Sequence, residues 1–178
     1  MSVIKIHDKH FKPFISEEKI LSSIQNVANR MNKDYQRKEP LFICVLNGSF
    51  LFAADLLRNI EVACTVSFVK VASYHGTEST GKISELIGLN EDITGRDIVI
   101  VEDIVDTGHT IEKLYAQLSA QNPASLKIAS LLFKPKAYQK QIPIDYVCLE
   151  VGNEFLVGYG LDYDGQGRNL RDIYIITE

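Results

Sequence analysis

Apolar residues recur at two different spacings along the chain, and these spacings predict strands that alternate with helices. Short apolar runs at residues 41–46, 98–101 and 126–133 are typical of strands buried on both faces of a sheet. Stretches with apolar residues three and four apart follow the first two runs and are typical of amphipathic helices. This order predicts an α/β fold with a mostly parallel sheet and flanking helices.

Three helices are expected from this spacing. The first begins at Ser16, an N-cap followed by two acids, and the second covers residues 50–60. The third follows residue 110. Residues 1–14 are interpreted as an arm of mixed character and residues 32–39 as a charged linker. The apolar stripes of the first and third helices are Ile20, Ile24, Val27 and Met31, and Ile111, Leu114, Tyr115 and Leu118.

Further strands are predicted in the remaining segments. Residues 61–72 and 83–89 are interpreted as a long β-hairpin, since the small polar residues 73–82 between them favour a mobile tip. Residues 144–151 are interpreted as a further strand, and residues 172–177 close the chain. The two terminal pieces and the late strands are expected to pack beside the main sheet. The length of the chain predicts a single domain over residues 1–178.

Composition and charge limit the classes of ligand. The net charge of −4 and the pI of about 5.6 argue against a nucleic-acid surface, which requires a basic face. An anionic ligand must then be held by backbone amides, a metal ion and a few placed cations. No apolar run is long enough to span a bilayer, and the N-terminus has no signal-peptide pattern, so a cytoplasmic protein without membrane contact is expected. Cys44, Cys64 and Cys148 are interpreted as buried thiols of a reducing compartment.

The clearest chemical signal lies in residues 97–110, DIVIVEDIVDTGHT, where a predicted strand ends and a helix begins. Open α/β sheets bind ligands at this edge. Gly108 allows a tight turn close to a ligand, and Thr107 and Thr110 supply hydroxyl donors. The first amides of the following helix favour a phosphate.

Acidic residues surround this predicted phosphate loop. Glu102, Asp103 and Asp106 are poor phosphate ligands, but carboxylates suit sugar hydroxyls, a divalent cation or the role of proton acceptor. A phosphate loop beside a carboxylate cluster predicts a phosphorylated sugar as the ligand.

These residues have two other interpretations. Asp-Thr-Gly is also the catalytic signature of aspartic proteases, but those proteins are all-β and need two copies, whereas this triplet occurs once and opens a predicted helix. Alternatively Asp106 is a plain helix N-cap among solvated acids. A P-loop sequence is absent.

From Glu102 to Thr110 the chain resembles the phosphoribosyl-diphosphate motif of the type I phosphoribosyltransferases, which has two adjacent acids followed by a D-T-G-x-T loop. The resemblance implies that the acids bind the ribose hydroxyls and that the loop, including His109, surrounds the 5-phosphate. It also implies Mg²⁺ as cofactor, a small hood, and a homo-oligomer, either a dimer or a tetramer.

Two further segments extend this resemblance. Leu46-Asn47-Gly48 corresponds to the loop that approaches the pyrophosphate, where relatives often have a non-proline cis peptide. Asn47 replaces the family's basic residue, so backbone contact through Asn47 and Gly48 is the expectation, and a plain turn is the alternative. Ser73 and Tyr74 correspond to a β-hairpin lid that closes over the site; a tolerated surface loop is the alternative.

The C-terminal half resembles the hypoxanthine-guanine phosphoribosyltransferases, and this resemblance implies specific roles. Lys134 donates to the purine 6-oxo group, Phe155 stacks on the base, and the Leu156 backbone meets the base edge.

The same resemblance implies that Asp162 ligates Mg²⁺ together with Glu102 and Asp103, and that Arg168 contacts pyrophosphate. Asp106 is the general base at purine N7. The residues that carry the resemblance are Lys134, Phe155, Leu156, residues 157–159, Leu161, Asp162, Tyr163 and Arg168.

The reaction implied is transfer of 5-phosphoribosyl from phosphoribosyl diphosphate to N9 of hypoxanthine and also guanine, as in purine salvage. Two alternatives remain open. One is a transferase for xanthine or another base. The other is a phosphoribosyltransferase-like RNA-binding regulator, which the acidic net charge disfavours.

Overall fold

The structure is a computed structural model that describes residues 2–71 and 86–177. Its elements are, in chain order, β1 (Ile4–Ile6), β2 (Lys9–Ile15), α1 (Glu17–Asp34), β3 (Leu41–Leu46), α2 (Phe50–Leu57), β4 (Thr65–Val71), β5 (Leu86–Ile87), β6 (Asp97–Val105), α3 (His109–Ser119), β7 (Ser125–Phe133), β8 (Tyr146–Glu150), β9 (Leu156–Val157) and β10 (Ile173–Thr177).

The main sheet has the strand order β5-β4-β3-β6-β7-β8. The pairs from β4 to β8 are all parallel, and only β5 runs antiparallel, against β4. The predicted parallel sheet with flanking helices is therefore confirmed. Because β3, β6 and β7 are adjacent, their carboxyl ends meet at one edge, where ligands bind in such sheets.

Helices cover both faces of this sheet, which explains the continuous apolar runs. Phe42, Cys44, Val99 and Val101 pack on one face with the buried stripe of α1 and with α2. Alternate residues of the same strands, such as Ile43 and Ile100, pack on the other face with α3. In α1 the predicted stripe is buried, and Ser16 Oγ accepts a hydrogen bond from the Lys19 amide at 3.4 Å.

The helix bounds differ from the predicted ones in two places. α1 continues to Asp34, so the first part of the predicted linker is helical, because charged residues such as Lys33 are good helix formers. α2 ends at Leu57 rather than near Ile60, and residues 58–60 continue as a tighter turn.

A second sheet, which the sequence did not predict, consists of the terminal strands and β9 in the antiparallel order β1-β2-β10-β9. The interpretation of residues 1–14 as an arm is wrong, since they form two strands. Phe11 and Ile15 face inward from β2 while its exposed residues alternate with them, a short strand pattern that charged neighbours obscure in the sequence.

Other predictions are borne out only in part. The antiparallel pairing of β4 with β5 agrees with the predicted hairpin, but Ser73 and Tyr74, predicted as a lid, lie outside the described residues. All three cysteines are free; Cys44 is buried, whereas Cys64 and Cys148 are only partly buried. Within residues 2–71 and 86–177, no helix has the length and apolar character to cross a membrane.

Candidate active site

The loop between β6 and α3 forms the centre of the site. β6 continues through Glu102 and Asp103 to Val105, so both acids belong to the end of a buried strand. Gly108 has a φ of +87° and is the residue immediately before α3. The N-cap interpretation of Asp106 is therefore wrong, and the exposed Asp106 carboxylate remains available for other contacts.

A small cavity of about 90 Å³ lies in this loop, lined by Glu102 and residues 104–111. Its lining thus includes Thr107, Gly108, His109 and Thr110, the residues of the predicted phosphate loop. The volume is several times the ~30 Å³ that a water molecule occupies in the liquid. Because the first amides of α3 have no partners within the helix, the cavity suits a small anion such as a phosphate.

Lys134 and Asp106 are brought together by the pairing of β6 with β7. The Lys134 amide donates to the Val105 carbonyl at 2.9 Å, and Lys134 Nζ lies 3.0 Å from Asp106 Oδ2. The Lys134 side chain is only 9% exposed, whereas that of Asp106 is 49% exposed. A buried ammonium beside an accessible carboxylate presents one donor and one acceptor to a ligand.

Glu102 and Asp103 occupy a desolvated environment. Glu102 is buried, its Oε2 has no hydrogen-bond partner, and burial followed by the charge of Asp103 raises its pKa well above the usual range. Burial also raises the pKa of Asp103 to about 6, although the Ile104 amide and the Arg168 charge oppose the change. Glu102 Oε2 therefore has an unmet need for a hydrogen-bond donor, whereas Asp103 Oδ1 accepts a hydrogen bond from the Ile104 amide at 2.9 Å.

Three loops converge beside these acids. A Cβ added at Gly48 would collide with the Asp103 carboxylate, and one added at Gly160 would collide with the Gly48 carbonyl. Arg168 Nη1 donates to the Gly160 carbonyl at 2.7 Å, and Arg168 Nη2 lies 2.7 Å from Asp162 Oδ1. The glycines thus permit the close backbone approach that links the predicted pyrophosphate loop to the C-terminal segment.

The predicted pyrophosphate loop also has the expected backbone form. The Leu46–Asn47 peptide is cis, the form that the resemblance implies for this loop. The Asn47 side chain is exposed, and Gly48 is buried against Asp103. A larger cleft of about 510 Å³ lies next to this region, lined by Ile4, Lys5, Ile6, Phe50 and residues 165–170.

The proposed metal ligands are neighbours but not a ready ligand set. Asp103 and Asp162 are close enough to act on each other electrostatically, with Arg168 beside both. Among the described residues, no three His, Cys, Asp or Glu side chains form a group that could hold a metal ion. Mg²⁺ is usually bound through one or two carboxylates plus substrate phosphates, so these acids fit Mg²⁺ delivered with a diphosphate.

The predicted base-stacking residues lie in the second sheet, at β9, whereas Lys134 follows β7 in the first. The Phe155 side chain is 45% exposed and packs edge-on against Tyr163, with ring centroids 5.7 Å apart. Leu156 is 5% exposed and belongs to the core, so only its backbone is available to a ligand. Phe155 can therefore offer a ring face.

The residues that support the loop between β6 and α3 are not evident from the sequence. Tyr138 and Lys140 pack directly on Gly108, and the Gln139 amide donates to the Thr107 carbonyl at 3.3 Å. Lys140 Nζ lies 2.7 Å from Glu112 Oε2. These contacts join segments about 30 residues apart, and no spacing in the polar run around Lys140 indicates them.

Comparison with known proteins adds three findings. The family model described as a phosphoribosyl transferase domain matches residues 15–164. A hypoxanthine-guanine phosphoribosyltransferase of Streptococcus pyogenes is 41% identical over 168 residues, which cover 94% of this chain and 93% of that protein. A hypoxanthine-guanine phosphoribosyltransferase of Streptococcus thermophilus is 39% identical over the same shares.

Solved structures agree with these relatives. A hypoxanthine-guanine phosphoribosyltransferase of Bacillus anthracis superimposes with a TM-score of 0.85 at 36% identity, covering 94% of this chain and 97% of that one. The hypoxanthine phosphoribosyltransferase of Trypanosoma cruzi gives a TM-score of 0.84 at 36% identity, covering 93% and 95%.

Proposed function

The chain belongs to the phosphoribosyl transferase family, in its hypoxanthine-guanine branch, and from this premise we propose the reaction and the roles of its residues. The enzyme transfers 5-phosphoribosyl from phosphoribosyl diphosphate to N9 of hypoxanthine and guanine, in purine salvage. The products are inosine or guanosine monophosphate and pyrophosphate.

The 3.0 Å pair of Lys134 Nζ and Asp106 Oδ2 carries this proposal. A 6-oxopurine presents O6 and N7 side by side on one edge. When N7 bears its proton, this edge offers an acceptor and a donor, to which the ammonium and the carboxylate are complementary. Adenine has an amino group at position 6, so the Lys134 ammonium would face another donor.

The transfer step follows from this placement. As the bond between C1 and the pyrophosphate oxygen breaks, the leaving group takes the electron pair, and purine N9 forms the new bond to C1. The proton on N7 passes to the Asp106 carboxylate, which acts as general base. Positive charge develops on the ribose during the step, and the nearby carboxylates Glu102 and Asp103 stabilise it electrostatically.

Separate parts of the site bind the two ends of phosphoribosyl diphosphate. The cavity at residues 104–111 receives the 5-phosphate, with donors from Thr107, His109, Thr110 and the amides of α3. Glu102 and Asp103 accept hydrogen bonds from the ribose hydroxyls, which would satisfy the unpaired Glu102 oxygen. The amides of Asn47 and Gly48, together with Arg168, contact the pyrophosphate.

Mg²⁺ is the proposed cofactor, held by Asp162 with Glu102 and Asp103 nearby. When bound, it neutralises charge on the pyrophosphate as this group leaves. In the unliganded protein Arg168 pairs with Asp162 at 2.7 Å, and the diphosphate would give Arg168 a second anionic partner.

The purine itself is held from the second sheet. Phe155 stacks on the purine ring, and the Leu156 backbone meets the edge of the base.

The remaining expectations concern assembly and compartment. We propose that the chain is a single domain, that the second sheet forms a small hood, and that the protein is a homo-oligomer, either a dimer or a tetramer. Val66 and Phe68 on β4 are 38% and 47% exposed, and apolar side chains of this kind suit a contact between subunits. The three free cysteines agree with a reducing, cytoplasmic compartment.

A steady-state assay tests the reaction. Each of hypoxanthine, guanine, xanthine and adenine is supplied with phosphoribosyl diphosphate and Mg²⁺, and nucleotide and pyrophosphate are measured. We expect turnover of hypoxanthine and guanine and none of adenine. Preferential turnover of xanthine would favour the other-base alternative, and absence of turnover with all four purines would refute the proposal.

A further inference from the structure

The segment that follows β7 packs against the phosphate loop from the protein side. A Cβ added at Gly108 would lie 2.5 Å from Tyr138 Cε2 and 2.8 Å from Lys140 Cγ, so both side chains contact the Gly108 backbone. Tyr138 is fixed by its hydroxyl, which donates to the Ile142 carbonyl at 2.6 Å, and by its edge-on contact with Phe133. The loop therefore rests on a preformed support.

Lys140 also contributes a charge at this support. Its ammonium lies 2.7 Å from Glu112 Oε2, and its side chain is only 15% exposed. Glu112 is four residues after Gly108, and its amide donates to the Gly108 carbonyl at 2.9 Å. Side chains in a helix lean toward its N-terminus, so the Glu112 carboxylate lies alongside the turn that begins at Gly108.

An unpaired carboxylate at this position would oppose the binding of a phosphate. The amides at the start of α3 attract one anion, and a second negative charge beside them reduces this attraction. Within the described residues around Gly108, Lys140 is the cation that pairs with Glu112. Because Lys140 neutralises Glu112, the positive N-terminal end of α3 remains available to attract the phosphate of the ligand.

We propose that Lys140 is a positioning residue for phosphate-ester binding. Its aliphatic part holds Gly108 in place, and its ammonium cancels the charge of Glu112. This inference rests on the proposed function, since it assigns the 5-phosphate to the cavity at residues 104–111. Lys140 acts through Glu112 and Gly108 and does not itself contact the substrate.

A double-mutant cycle tests this role. Lys140→Met keeps most of the aliphatic part and removes the charge, and Glu112→Gln removes the opposing charge. Lys136→Met is the matched control, because Lys136 is an exposed lysine of the same segment. Dissociation constants are measured by calorimetry for ribose 5-phosphate, inosine monophosphate and inosine, at low and high salt.

We expect Lys140→Met to weaken both phosphate esters by roughly two- to tenfold, within the range of charge effects at helix termini. The weakening should shrink at high salt. Inosine, which lacks the phosphate, should bind as before. The double variant should recover most of the affinity, and KM for phosphoribosyl diphosphate should follow the same pattern while kcat changes little.

Three outcomes would overturn the inference. One is equal affinity in the Lys140→Met and Lys136→Met variants. Another is a loss of affinity in Lys140→Met that Glu112→Gln does not restore, since this would indicate packing alone. Lys140→Gln, which also removes the charge, serves as a second variant if Lys140→Met fails to fold. The third is a failure of the wild-type protein to bind either ribose 5-phosphate or inosine monophosphate. Binding of ribose 5-phosphate without any purine turnover would instead refute the proposed function and leave this test intact.

Discussion

Lys134 Nζ donates to Asp106 Oδ2 across 3.0 Å, although Lys134 is buried and Asp106 is half exposed. A buried ammonium needs a partner, and here the partner is the accessible carboxylate on the adjacent β6–α3 loop. The side chains proposed to recognise the purine and to accept its proton are therefore held in one geometry before the substrate binds. Such preorganisation reduces the reorganisation required in the reaction.

Replacement of Lys134 by alanine should reduce base discrimination. Without the ammonium, the 6-oxo group loses its donor, and a hydrogen bond to a charged group is worth roughly 1.5–3 kcal/mol. KM for hypoxanthine should therefore rise about 10- to 100-fold, while the penalty against adenine falls. Competition between hypoxanthine and adenine measures both effects, with Lys136→Ala as the exposed control; an unchanged base preference would remove Lys134 from the purine site.

Stability of the unliganded protein should depend on the ionisation of Asp103. Burial raises its pKa from 3.8 to about 6, so the folded protein binds this proton more tightly than the unfolded chain does. The resulting stabilisation is complete below about pH 4 and is lost as the pH rises through about 6. The amide side chain of the variant Asp103→Asn cannot ionise. The free energy of unfolding of this variant, relative to that of the wild type, should therefore increase as the pH rises from about 4 to above 6, by on the order of 1–3 kcal/mol.

Urea unfolding between pH 4 and pH 7.5 measures this difference. Asp164→Asn, at an exposed carboxylate, is the control and should leave the pH profile of the wild type unchanged. Because Asp103 is also proposed to bind the ribose, Asp103→Asn should lose affinity for phosphoribosyl diphosphate while it gains stability. If the free energies of unfolding of Asp103→Asn and the wild type changed with pH in parallel, this would contradict a raised pKa for Asp103.

Catalysis should require a divalent metal ion. The carboxylates beside Arg168 do not form a complete ligand set among the described residues, so the metal is expected to arrive with the diphosphate. Excess chelator should abolish turnover, and Mg²⁺ in excess of the chelator should restore it. If the metal binds only together with the diphosphate, chelator should leave the melting temperature of the unliganded protein unchanged. Full activity in chelator would refute the requirement.

The local sequence was sufficient to predict the main sheet and the position of the loop between β6 and α3. The apolar runs of β3 and β6 are continuous because helices cover both faces of the sheet, and this pattern is visible without the structure. Gly108 and the residues around it are adjacent in sequence, so their chemistry could be interpreted together. The strands β1 and β2 were missed because charged residues interrupt their short alternation.

Contacts between distant segments could not be predicted in this way. The packing of Gly48 on Asp103 and of Gly160 on Gly48 depends on how three loops meet in space. Likewise, a lysine at the end of a strand is usually solvated, and only the pairing of β6 with β7 buries Lys134 against Asp106. The resemblance to a family indicated which residues matter, but not these pairings.

The proposed mechanism depends on Asp106 as the proton acceptor, and the substitution Asp106→Asn tests this role. The amide keeps the size of the side chain but cannot accept the proton from purine N7. With phosphoribosyl diphosphate and Mg²⁺ already bound, the single-turnover rate with hypoxanthine should fall by roughly 10²–10⁴-fold, and the dissociation constant for phosphoribosyl diphosphate should stay nearly unchanged. A collapse of that binding with an unaltered rate would contradict the claim and make Asp106 a sugar or phosphate ligand instead.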